Sequence, residues 1–166
     1  MVEYYYRGVK MKDFKNEVAG ALQLILDSPG ERQINNDTEI PKMVVNLYHK
    51  LQSDIITDDD KLYATASFAN ELINYIAQDT DNFVTELSNT LIAKNHDYGD
   101  AFFKVATLMG VFNSFSIRLL DKGFRLENLT SGTANMVSDE SVTDTKTDLV
   151  GYLVLMLVAY DKLGGK

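Results

Sequence analysis

The chain contains no cysteine and no tryptophan, and only two prolines, Pro29 and Pro41, interrupt its 166 residues. Without cysteine, neither a disulfide framework nor a cysteine-ligated zinc site is possible, and a reducing, cytoplasmic setting is the natural expectation. Long hydrophobic runs are missing too. The longest, Leu149 to Tyr160, falls far short of the roughly 20 residues that a membrane-spanning helix needs. The first stretch, MVEYYYRGVKMKDF, lacks the apolar core of a signal peptide, so no membrane association is expected. Positive charge is also scarce: 16 Lys plus Arg stand against 24 Asp plus Glu, a formal net charge of −8. Such a chain repels the phosphates of long nucleic acid overall, which argues against duplex binding. A small phosphorylated ligand, gripped by a local basic patch or bridged to acids by a metal, stays open.

Hydrophobic residues make up 45% of the chain, the usual share for a globular protein, and their spacing is helical. Phe14, Val18, Ala21, Leu22 and Ile25 recur at three- and four-residue intervals in a helix over 11–27, which ends before the turn signal Ser28-Pro29-Gly30. A second helix is expected over 41–53, with Pro41 in its first turn. Asp58-Asp59-Asp60 suits the positive end of a third, reaching Ile76. Others follow over 81–95, 101–109, 114–129 and 139–163, with Thr130 to Val137 as a flexible link before the last. No segment alternates cleanly at a period of two. The expectation is one all-α domain over 1–166, a helical bundle of about six or seven helices.

The last helix opens with an acidic stripe. Glu140, Asp144 and Asp148 are four residues apart and fall within an arc of about 80°. A solvated face is the ordinary reading. Two features favour a pocket instead. The same sector continues into Gly151, Leu155 and Val158, and from Leu149 onward the helix is apolar all round, as in a helix buried on every side. The three carboxylates also repel one another, and burial sharpens that repulsion. Mg²⁺ would relieve it, since this ion takes carboxylate oxygens and commonly joins them to substrate phosphates. Ser138, Asp139 and Glu140 sit where a cap and its dipole partners belong, which gives Glu140 a structural duty that Asp144 and Asp148 lack.

The helix before it carries Arg118, Lys122 and Arg125 within an arc of about 60°. Asp121 is within reach of both arginines. Surface pairing would explain this pattern, yet Phe115, Leu119 and Leu126 border the cations, and such a basic edge suits a polyphosphate. One short link joins the two helices, so antiparallel packing is expected. A third polar segment, KNHDYGDAFF at 94–103, lies between two other helices. Gly99 breaks or reorients the chain there, Asp100 is placed to cap the next helix, and Tyr98 either stacks on a base or covers the core. Lys94 and Asp97 have no evident structural duty.

In order, KNHDYGDAF, RLLDKGFRLENL and DESVTDTKTDLVGYLVL resemble the phage and bacterial nucleotide-modification-associated domain family (type one), over about residues 87–160. Its pattern is a K-x-x-D-Y-G segment, an R-x-x-D-K-x-x-R-L helix and a closing E-S-x-x-D-x-x-x-D-L-x-x-Y helix. Residues 1–80 lie outside it. The helix-borne acids are similar to those of MazG-type and dimeric dUTPase-like all-α pyrophosphatases. That resemblance implies Mg²⁺-dependent hydrolysis of a nucleoside triphosphate to a monophosphate and pyrophosphate, by a homodimer. Glu140, Asp144 and Asp148 would then hold the metal, while Lys94, Tyr98, Arg118, Lys122 and Arg125 bind the nucleotide. The E-x-x-E pair of those enzymes is absent here, so Asp97 and Asp100, or Asp121, would stand in as catalytic acids. The alternative is a non-catalytic accessory protein that binds a nucleotide or a host protein.

Overall fold

The computed structural model describes residues 5–6, 9–10, 14–98, 101–132 and 141–164. Among them are seven α-helices: α1 (Phe14–Asp27), α2 (Ile40–Gln52), α3 (Asp58–Ile76), α4 (Thr80–Tyr98), α5 (Ala101–Met109), α6 (Val111–Thr130) and α7 (Val142–Leu163). The all-α expectation holds. One feature had no counterpart in the periodicity: a two-residue antiparallel ladder, β1 (Tyr5–Tyr6) on β2 (Val9–Lys10). A single 3₁₀ turn, Asp37–Glu39, leads into α2, whose first turn carries Pro41.

The helix ends follow local chemistry. α3 begins where the Thr57 side chain accepts a hydrogen bond from the Asp60 backbone N–H at 3.2 Å, with three acids in the first turn facing the positive end of the helix. α6 starts three residues earlier than the periodicity suggested, directly after Gly110. Gly110 has φ +87°, a backbone region that glycine enters without penalty, and the chain bends there by 116° between α5 and α6. α7 starts later than expected, with Ser141 as its N-cap rather than the 138–140 segment. Glu140, the proposed cap Asp100, Gly99, the start of the first helix at 11–13 and the link at 133–137 lie outside the described residues.

α7 is the spine. Leu149, Val150, Leu153, Val154, Met156 and Ala159 are fully buried. Two partners run antiparallel to it. On the α6 side Phe112 stacks on Tyr160, Arg118 lies over Tyr152 and Lys122 meets Asp148, so numbering rises on one helix as it falls on the other. On the α3 side Tyr160 donates to Asp58, Thr65 meets Met156 and Lys146 lies over Tyr75. The expected antiparallel pairing of the last two long helices is therefore found, with α3 on another face. Leu119, Leu126, Leu72, Ile73 and Phe103 complete the same core. No single helix among the described residues is long and apolar enough to cross a membrane.

Behind α6 sits α2, and Gly123 lets them approach. A Cβ at position 123 would lie 2.9 Å from Val44 Cγ1 and 3.1 Å from Val44 Cβ. Valine is stiff about χ1 and cannot swing clear. Gly123→Ala would gain about 1 kcal/mol in helix propensity, but overpacking costs about 1–3 kcal/mol. A net loss of stability is expected in urea unfolding; a gain would mean that α2 recedes freely from α6.

Candidate functional site

The stripe along α7 passes from solvent into the core. Asp144 is exposed, Asp148 is half-buried and Gly151 is buried, while Leu155 and Val158 beyond it are 7% and 2% exposed. Asp144 does have a structural duty, contrary to expectation. Its backbone N–H donates to the Ser141 hydroxyl at 3.0 Å, and its own Oδ2 accepts the Ser141 backbone N–H at 3.3 Å. This reciprocal capping box satisfies two donors that a helix N-terminus leaves open.

Asp148, one turn on, faces α6. Its Oδ2 lies 2.9 Å from Lys122 Nζ, with the two side chains 33% and 17% exposed. One turn further, the Arg118 guanidinium sits 5.7 Å from the centroid of the Tyr152 ring, within range of a cation–π contact. Two of the three expected cations are thus in register with α7 side chains. Arg125 is half-buried one turn beyond Lys122, and Asp121 points outward on the exposed side of α6. Of the proposed acids, Asp144 and Asp148 are on adjacent turns. Each commits one carboxylate oxygen to a neighbour and keeps the other uncommitted among the described residues. Those residues include no group of three or more His, Cys, Asp or Glu that would cage a metal ion.

Lys94 is exposed on α4. Leu87 and Leu91, on the turns before it, flank Gly151, where a Cβ would meet them at 3.8 and 3.5 Å. After α4 the chain reaches Phe102 and Phe103, which pack on Phe14. Phe103 also lies 4.8 Å from Lys162, near the far end of α7. Lys94 therefore sits on turns that lead away from Asp144. The side chains of Asp97 and Tyr98 lie outside the described set, although both residues belong to α4.

On the opposite side of α7 is a cluster assembled from three separate elements. Lys146, two residues before Asp148, donates to Asp37 at 2.9 Å, and the Tyr75 hydroxyl donates to the same oxygen at 2.8 Å. The ammonium also lies 5.2 Å above the Tyr75 ring. Burial pushes the Asp37 carboxyl up, but the hydrogen bonds from Lys146 and Tyr75 and the lysine charge outweigh it and hold the group below its ordinary value. Burial and the hydrogen bond to Asp37 push the Tyr75 phenol up to about 12. The only sequence signal for this cluster was a lysine set among acids, on the face turned away from them.

Residues 94–160 match the family model described as nucleotide modification associated domain 1. That segment is similar to this family. No curated protein and no solved structure matches the chain. The matched segment runs from Lys94 on α4 to Tyr160 near the end of α7, and includes Arg118, Lys122, Asp144, Asp148 and Tyr152. Asp37 and Tyr75, which hold the first turns of α7 through Lys146, lie outside it.

Proposed function

We propose that the α6–α7 seam binds a nucleotide and that, with Mg²⁺, the protein cleaves a deoxynucleoside triphosphate to a monophosphate and pyrophosphate. The observation that carries this reading is the Lys122–Asp148 pair in register with Arg118 on Tyr152, inside the segment that matches a nucleotide-associated family. A partly exposed ion pair is worth only about 0.2–1 kcal/mol. A phosphate offered to Lys122 forms a charge-assisted bond of comparable or greater strength, so a ligand displaces the pair at little cost. Arg118 is held over the Tyr152 ring at the same seam and supplies a planar, two-pronged donor. Asp144 and Asp148 suit one Mg²⁺ shared with substrate phosphates, since that ion needs only one or two protein carboxylates, and Glu140 would be the third acid. When bound, the metal would polarise a phosphoryl oxygen and activate water. Asp121, on the exposed side of α6, and Lys94, on turns of α4 that lead away from Asp144, take no part in this scheme.

The test is incubation of the protein with each deoxynucleoside triphosphate and Mg²⁺, with pyrophosphate release as readout. Turnover of at least one is expected, falling tenfold or more in Asp148→Asn and in Lys122→Ala. No turnover of any of them by the wild type would defeat hydrolysis. A second reading, nucleotide binding without catalysis, is favoured by the commitment of Asp144 to its cap and of Asp148 to Lys122. Calorimetric binding without turnover would select it.

A further inference from the structure

Lys122 seats a positive charge directly on the acidic side of the seam. Its Nζ lies 2.9 Å from Asp148 Oδ2, and with 17% of the side chain exposed the ammonium is held against the protein rather than out in solvent. The packing around it is stiff. Leu119 and Leu126, about one turn to either side on α6, are buried, as is Leu149 beside Asp148 on α7. Gly123, next to Lys122, packs on Val44 of α2. α6 therefore neither turns nor recedes from α7 without opening a close-packed core, and Lys122 stays within reach of Asp148. Arg118 provides the contrast. It carries the same charge one turn away, but its guanidinium lies over the Tyr152 ring rather than on a carboxylate.

A divalent cation and an ammonium on one carboxylate repel each other. The separation is then a few ångströms, well inside the Debye length of about 8 Å, so salt does little to screen it. Partial burial weakens the help that water gives. Asp144 is a poor substitute for Asp148, because its Oδ2 is tied to the Ser141 backbone N–H in the capping box. A phosphate changes the balance. It takes the ammonium in a charge-assisted hydrogen bond, and it offers the oxygens that Mg²⁺ commonly combines with one or two protein carboxylates. Lying between the two cations, it attracts both.

We propose that Lys122 is a gate on the metal: its ammonium keeps a divalent cation off Asp148 in the nucleotide-free protein, and the metal enters together with the phosphates that draw Lys122 away. The proposal rests on the reading of Asp144 and Asp148 as the acids that hold Mg²⁺ at the seam, and not on hydrolysis of any nucleotide. It gives the seam an order of assembly, in which the metal–nucleotide complex is the ligand and the free metal is not.

The full chain, without nucleotide, is titrated with Mn²⁺, and the free ion is followed by its electron paramagnetic resonance signal. Wild type is expected to bind weakly. Lys122→Met, which keeps the apolar stem and removes the ammonium, should bind about tenfold more tightly or better. Lys122→Gln should show the same gain, and stands in if thermal melting shows that methionine is not tolerated. Adding Asp148→Asn to either variant should abolish the gain. Arg118→Met removes the same unit charge from the same seam and should change the affinity by less than about threefold, since Arg118 does not sit on Asp148. The proposal is overturned if neither folded Lys122 variant binds Mn²⁺ more tightly than wild type. It is equally overturned if the gain survives Asp148→Asn, or if Arg118→Met reproduces it. A gain in a chain that releases no pyrophosphate from any deoxynucleoside triphosphate upholds the gate and defeats hydrolysis; turnover without the gain does the reverse.

Discussion

Phe115→Ala should lower the midpoint of thermal unfolding by on the order of 10 °C. Phe115 is 1% exposed on α6, among the largest fully buried side chains. It precedes Arg118 by one turn and lies in the core shared with α7. Truncating a buried phenylalanine removes its transfer free energy and leaves a cavity that neighbours fill only in part, for about 3–5 kcal/mol. Total stability of a protein this size is on the order of 5–15 kcal/mol, so the loss is a large fraction of it. Ile117, two residues on and 49% exposed, is the control. Ile117→Ala should fall within about 0.5 kcal/mol of wild type. The same contrast should appear at the seam, because Arg118 and Lys122 reach Tyr152 and Asp148 only while α6 is seated. If both variants melt alike, α6 is not anchored through Phe115.

How much of this was readable in advance depends on how local the cause is. All seven helices were legible because their apolar residues recur at helical spacing over many turns, and tertiary packing reinforced that pattern. Their ends were less so. The start of α6 depends on Gly110 adopting φ +87°, and the start of α7 on which of several polar residues closes a capping box. Ser141 does, which also gives Asp144 a role that spacing could not assign. The gradient from exposed Asp144 to buried Val158 was legible, because a polar stripe running into apolar positions on one helix must cross the surface of the core. The basic arc of Arg118, Lys122 and Arg125 was legible from helical spacing, whereas the pairing of Asp148 with Lys122 is set by packing register. Contacts between distant segments were not legible at all. Asp37, Tyr75 and Lys146 meet from three elements, up to 109 residues apart, and Glu71 in α3 looks like any solvated acid until the loop at Gly30 closes over it.

The cluster at Asp37 predicts a stability difference that depends on pH. Lys146→Met keeps the apolar stem of the side chain and removes the ammonium. Asp37 then has only the Tyr75 hydroxyl, and a charge-assisted hydrogen bond is lost, worth about 1.5–3 kcal/mol. Asp37 keeps 30% of its side chain in water, so screening places the expected loss in the lower half of that range. The native carboxyl is held below its ordinary value of 3.8. As pH falls the unfolded chain therefore takes up the proton first. The stabilisation is complete above 3.8 and disappears as pH drops through the lower native value. At the alkaline end, Tyr75 is raised from 10.0 to about 12, so its part is complete below pH 10 and lost as pH approaches 12. Urea unfolding of wild type and Lys146→Met should show the full gap at pH 7 and a shrinking one below pH 3.8. Because Lys146 lies in the first turns of α7 with Asp144 and Asp148, the gap also measures how firmly the N-terminal helices hold that end of the seam. Equal unfolding midpoints at pH 7 would show α7 anchored by its apolar faces alone.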